Sequence, residues 1–206
     1  MTQSEDGRDA SDADLARQAQ QGEAAAFDEL TLRHRPRLVR WLSSLVWDAD
    51  EAENLAQEAL ARALAQIANF RPELSFAAWL NGIALNLARH YLRTRSRRAE
   101  VTDPAVLQVE AAGTLKRRGV LSSLVSREQQ ELMRLAIAEL PIPLREAFVL
   151  HEVEEFDYPD MAAMSGVAEG TLRVRVHRAK ALLRDRLGSM VDTWLVQSEK
   201  KPSGNR

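Results

Sequence analysis

Arginine dominates two stretches of the chain in which almost no acid stands beside it. Between Asn86 and Arg98 the charged residues are Arg89, Arg93, Arg95, Arg97 and Arg98, all of one sign. Between Thr171 and Arg186 they are Arg173, Arg175, Arg178, Lys180, Arg184 and Arg186 against Asp185 alone. Guanidinium groups make charge-assisted, often bidentate hydrogen bonds to phosphate oxygens. Two such blocks on one chain point to two separate phosphate contacts. A basic run by itself is equally a solvated helix face, so the surrounding motifs have to decide. Acids collect elsewhere, in the first residues and at Asp48, Asp50, Glu51, Glu53 and Glu58, which is why the formal net charge is only −2. The four histidines, His34, His90, His151 and His177, form no metal-spaced pair. No carboxylate cluster, glycine-rich phosphate loop or nucleophile motif is present. Neither an enzyme nor a cofactor is expected.

The elements that must carry these residues are helical. Alanine, leucine, arginine and glutamate, all good helix formers, dominate the composition. At 206 residues and 45% apolar the chain is long enough for one or two cores. Cysteine is absent, which excludes disulfides and thiolate metal sites. The opening MTQSEDGRDASDAD is polar and acidic rather than a signal peptide. No later segment approaches the roughly 20 apolar residues of a membrane span, so the cytoplasm is the expected location.

Apolar spacing predicts a helix over Asp14 to Trp47, carrying Leu15, Phe27, Leu30, Leu38, Trp41, Leu42, Leu45 and Val46. A second runs from Asp48 to Ile67, its acidic start suiting the helix dipole. Pro72 makes Asn69 to Glu73 a loop, after which Ser75 caps a long helix to about Arg98. From Ala99 to Ser126 the periodicity fades among Asp103-Pro104, Gly113, Gly119 and the basic Lys116, Arg117 and Arg118, predicting a linker. Helices resume over Arg127 to Leu140 and Leu144 to Val153. Asp157 reads as an N-cap with Pro159 in the first turn. The short helix it opens ends near Ser165-Gly166, and a long one begins near Ala168 and passes Leu187. The chain therefore divides into an acidic head (1–11), an N-terminal domain (12–98), a linker (99–126), a C-terminal domain (127–188) and a tail (189–206). In the tail Met190, Val191, Trp194 and Leu195 keep helical spacing, which suits either an extension of the last helix or a docking segment.

Met161 to Lys180 has the outline of a helix-turn-helix, whose second helix enters the major groove. On a helical projection Leu172, Val176, Ala179 and Leu183 share the packing face. Arg173, Val174, His177 and Arg178 lie opposite, free to meet base edges. Arg175 flanks them and suits a phosphate, as does Thr171 near the helix N-terminus.

Here the residues carry a resemblance. Glu139-Leu140-Pro141, Arg145-Glu146-Ala147-Phe148, Glu169-Gly170-Thr171-Leu172-Arg173 and His177-Arg178-Ala179-Lys180 closely resemble the C-terminal domain of the extracytoplasmic-function (ECF) branch of bacterial sigma factors. In that family this domain reads the upstream promoter element. Val174 stands where a small polar residue is common, and Asp157 replaces the usual capping serine while preserving the cap. Asp50 to Glu58 resembles the segment that grips the coiled-coil clamp of the polymerase's largest subunit. The resemblance assigns core binding to Asp50, Glu53, Asn54, Gln57 and Glu58, with Asn54 in place of a more common aspartate. Phe70-Arg71, Ser75 to Leu80, Ile83-Ala84, Asn86 and Arg93 to Arg97 resemble the segment that melts promoter DNA and reads its downstream element. That implies a DNA face of Trp79, Asn86, Arg89, His90, Arg93 and Arg97 above a core of Leu80, Ile83, Leu87 and Tyr91. His90 stands where aspartate is frequent, Trp79 is equally a core residue, and Asn69 to Leu74 corresponds to a flipped-base pocket.

The resemblance spans Asp14 to Leu187, with fewer regions than the housekeeping sigma factors possess. It implies an all-α fold of two small helical domains joined by a flexible linker. The implied partners are core RNA polymerase (clamp and flap), promoter DNA and an anti-sigma factor. The competing reading is a stand-alone helix-turn-helix regulator, which needs a symmetry-related second reading helix and a palindromic site.

Overall fold

A computed structural model describes residues 10–72, 74–101 and 127–188. Every regular element among them is helical. The linker and tail expected at 102–126 and 189–206, and the head before residue 10, lie outside the described residues, as does any role for Lys116 or Trp194.

The first helix, α1 (Asp12–Gln20), starts where the Ser11 hydroxyl accepts from the Asp14 amide (3.2 Å). The single helix expected over Asp14 to Trp47 is in fact two. Gly22 adopts φ +94, a conformation that costs other residues a steric penalty, and α2 restarts over Ala24–Val46. Helical spacing persists across the break, so periodicity alone hides it. Pro36 sits inside α2 on an exposed position, where the hydrogen bond it removes is left to water. The helix ends at Trp47, which takes the left-handed conformation (φ 59) usually left to glycine. Asp48 then caps α3 (Ala49–Gln66), its carboxylate accepting from the Glu51 amide (3.0 Å). A 3₁₀ turn over Ile67–Asn69 leads to the loop before α4 (Phe76–Val101). Ser75 caps α4 through the Ala78 amide (3.2 Å), and the helix runs a few residues past Arg98.

These four helices bury Phe27, Leu30, Trp41, Leu42, Leu45, Leu60, Phe76, Leu80 and Leu92. Each such side chain withdrawn from water contributes about 1.5–3 kcal/mol before ordering entropy is set against it. One polar link crosses this core: the Trp41 indole N–H donates to the Asn81 side-chain oxygen at 3.1 Å, tying α2 to α4. Phe70 and Trp79 stack with centroids 4.9 Å apart and Phe76 meets both, so Trp79 belongs to an aromatic cluster beneath the loop.

The C-terminal unit comprises α5 (Arg127–Ala138), α6 (Ile142–Phe148), α7 (Tyr158–Ser165) and α8 (Glu169–Leu187). Where one helix over Leu144 to Val153 is expected, α6 begins two residues earlier, at Ile142, and widens into a π turn over Val149–Val153. The Asp157 carboxylate caps α7 by accepting from the Asp160 amide at 2.8 Å. Gly166 closes α7 at φ +68, the backbone that the tight turn to α8 requires. Met133, Ile137, Leu140, Phe148, Leu150, Met161, Leu172, Val176 and Leu183 fill this core.

The two units are not separate bodies. Helix α4 packs along α7, and α2 lies beside the π turn. A Cβ on Gly82 would stand 3.0 Å from the Met164 carbonyl oxygen, so the absent side chain permits this approach. Nothing in the periodicity foretells the contact.

Candidate nucleic-acid interface

Helix α8 presents the ridge that its spacing predicts. Leu172, Val176, Ala179 and Leu183 are buried, while Arg173, Val174, His177 and Arg178 are exposed and Arg175 is partly covered on the flank. Val174 keeps 49% of its surface in water, an apolar patch among cations that matches a thymine methyl in kind. Arg173 is not free in solution. Its guanidinium lies 4.2 Å over the Tyr158 ring and within 3.3 Å of the Glu169 carboxylate. Tyr158, the residue after the α7 cap, is thus a positioning group that the sequence reading missed. A second one is Glu152, whose carboxylate holds Lys180 at 2.8 Å. Ala168 caps α8 without a side-chain hydrogen bond, leaving its first amides beside exposed Thr171 for an external oxygen.

On α4, Asn86, His90, Arg93 and Arg97 are exposed. Arg89 is not. It forms a bidentate pair with Glu146 of α6, Nε to Oε2 at 2.8 Å and Nη2 to Oε1 at 2.6 Å, and also donates to Asn86 at 3.3 Å. The Glu146 hydrogen bond raises the Arg89 pKa further, so the group stays charged. Leu80 and Leu87 are buried as expected; Ile83 and Tyr91 are only partly so. Tyr91 accepts from Arg95 at 2.9 Å, and burial raises its pKa. Burial, with the Arg95 charge nearby, brings the Arg145 guanidinium down to about 10. Arg145 donates to the Ala138 and Leu140 carbonyls, closing the turn between α5 and α6.

The α3 face exposes Asp50, Asn54, Gln57, Glu58 and Ala61, with Leu64 half exposed beyond them. Glu58 pairs with Arg62 at 2.6 Å. Glu53 is partly covered and paired with Arg35 of α2, so it braces α3 as well as bordering that face. The loop after α3 is held from below. Gln20 of α1 donates to the Ile67 carbonyl at 2.9 Å and the Phe70 carbonyl at 2.7 Å, a clamp with no signal in the sequence. Among the described residues no group of three metal-capable side chains occurs, and no helix is long and apolar enough to cross a membrane.

Comparisons with known proteins fall on the same two units. The family model for sigma-70 region 2 matches residues 30–98, and that for sigma-70 region 4 matches residues 130–183. The chain is 33% identical to the RNA polymerase sigma-H factor of Pseudomonas aeruginosa, over 82% of this chain and 90% of that one. It is 38% identical to the ECF RNA polymerase sigma factor EcfG of Rhodopseudomonas palustris, over 72% and 77%. Among solved structures, CnrH in complex with the cytosolic domain of CnrY superposes with a TM-score of 0.62 at 25% identity, covering 87% of this chain and 99% of that one. The sigma factor RpoE of Bartonella quintana, in complex with the anti-sigma factor NepR, superposes at 0.57 and 29%, covering 78% and 96%. With regions 2 and 4 in order on an all-helical scaffold, the chain belongs to the ECF family of RNA polymerase sigma factors.

Proposed function

We propose that the chain brings core RNA polymerase to promoters by using α8 to read an upstream element and α4 to hold the melted strand. The observation that carries this is the α8 ridge: three cations and an apolar residue exposed opposite four buried ones, on the second helix of a helix-turn-helix. Arg173, Val174, His177 and Arg178 meet base edges, and Arg175 and Thr171 meet phosphates. On α4, Asn86, Arg89, His90, Arg93 and Arg97 follow the strand backbone, and Trp79 supports the loop before the helix. Asp50, Asn54, Gln57 and Glu58, with Glu53 at their edge, face a basic surface on the polymerase clamp. The protein acts by binding, without a catalytic centre or cofactor, in the cytoplasm where polymerase works. Its relatives crystallised with CnrY and NepR support a protein antagonist of the same kind.

The test is run-off transcription with purified core enzyme on templates selected from randomised promoters. Specific transcripts are expected only when both components are present. The isolated protein should bind duplex weakly and with steep salt dependence. Tight palindrome binding by the protein alone, without stimulation of core enzyme, defeats the proposal and favours a stand-alone regulator.

A further inference from the structure

The contact between the two units uses the residue that the DNA-binding reading needs. Gly82, Leu85 and Arg89 recur at helical spacing and so form one stripe along α4. At one end of the stripe Gly82 abuts the Met164 carbonyl of α7. At the other, Arg89 holds Glu146 of α6, which is only 2% exposed. Leu85, between them, is wholly buried. Helix α2 adds a second set of contacts. Glu154 accepts from Arg40 at 3.1 Å and from the Ser44 hydroxyl, and the Arg37 guanidinium lies 4.4 Å over the Phe156 ring.

We propose that the C-terminal unit is an intramolecular occupant of the α4 surface, with the Glu146 carboxylate in the place that a DNA phosphate takes on Arg89, so that the free protein is closed to promoter strands. This rests on the reading of Arg89 as a phosphate contact. A carboxylate and a phosphate each offer a guanidinium fork two acceptor oxygens in one plane, so one can replace the other without reshaping the site. The exchange is feasible because the closed pair is not a strong bond in net terms. Burying both charges opposes much of their attraction, and opening returns Glu146 to water. Closure also covers Met164 and Glu146, which places α7 and α6 against α4 rather than beside DNA.

The chain has no cysteine, so Ala65→Cys on α3 and Asp185→Cys on α8, both exposed, accept spin labels on the full-length protein without competing sites. Pulsed electron-spin distances are then compared in the parent, Gly82→Leu and Glu146→Gln. Leucine at 82 wedges the units apart sterically while improving helix propensity. Glutamine at 146 keeps the shape and removes the charge. The parent should give one short, narrow distance, and both variants a longer, broader one at unchanged helicity. Binding of a single-stranded downstream-element oligonucleotide by the free protein should tighten about tenfold in both, if the open form is about a tenth of the parent. Arg89→Ala should open the units and yet weaken the same oligonucleotide in holoenzyme. A parent distance as broad as the variants' overturns the closure. Opening without tighter binding overturns the occlusion. If Arg89→Ala leaves holoenzyme binding intact, the phosphate reading of Arg89 fails while the distances still report on closure.

Discussion

Replacing Arg173 with alanine separates readout from mere attraction. In the free protein this guanidinium stacks 4.2 Å over Tyr158 and pairs with Glu169 at 3.3 Å, with 60% of its side chain in water. An exposed cation–π contact is worth about 0.5–1 kcal/mol and an exposed i,i+4 ion pair about 0.3–0.5. Losing both should lower folding stability by roughly 1 kcal/mol, leaving the domain folded. A bidentate base contact discriminates by about 1–3 kcal/mol, equivalent to about 5- to 150-fold in affinity. The mutant holoenzyme should therefore lose that factor on the best upstream element, and the loss should be confined to one base pair. The assay is promoter binding across a library of randomised upstream elements, with thermal unfolding measured alongside. Tyr158→Leu supplies the control, since it removes the stack and keeps the arginine. It should weaken binding less, at the same base pair. If Arg173→Ala leaves the base preferences intact, the rotational register assigned to α8 is wrong.

Arg175→Ala, on the flank, should weaken all upstream sequences about equally and reduce the slope of log affinity against log salt by about one, read from a salt titration. Glu53→Lys with Gln57→Lys should impair assembly with core enzyme, through like-charge repulsion, in a pull-down or sedimentation experiment. Because Glu53 also pairs with Arg35, Gln57→Lys alone should change unfolding by under about 0.5 kcal/mol and still weaken assembly. Asp157→Ala removes the cap of α7 and should cost about 0.5–2 kcal/mol of stability in chemical denaturation. Asn81→Ala should cost about 1–3 kcal/mol by leaving the Trp41 N–H buried without a partner, and combining Asn81→Leu with Trp41→Phe should cost less than the two changes summed.

The rotation of α8 was legible because burial imposes a 3.6-residue period, and Leu172, Val176, Ala179 and Leu183 obey it without exception. Asp157, Ser75 and Asp48 were equally legible as caps, or as an acidic start, since short polar side chains before an apolar run have few other uses. The break at Gly22 was hidden because Leu15 and Phe27 keep compatible spacing on either side of it. Trp79 stood open between core and DNA, since an aromatic beside a loop suits both. Its stack with Phe70 and Phe76 gives it a packing role. The Arg89–Glu146 pair joins residues 57 apart on different units. Arginine in a basic block reads as a ligand for phosphate, and no local pattern shows that a carboxylate elsewhere in the chain meets it first.

The wide turn at Val149–Val153 has a consequence of its own. The Glu154 amide reaches back five residues to the Val149 carbonyl (3.0 Å), and Glu155 beyond it takes φ 58. Within this turn Glu152 faces Lys180 on α8, while Glu154, two residues later, faces Arg40 on α2. Removing one residue would restore α-helical winding and swing every following side chain by about 100° around the axis. Both carboxylates could not then keep their partners. Among natural variants this stretch should accordingly behave as a spacer of fixed length, tolerant of changed letters and intolerant of insertion or deletion.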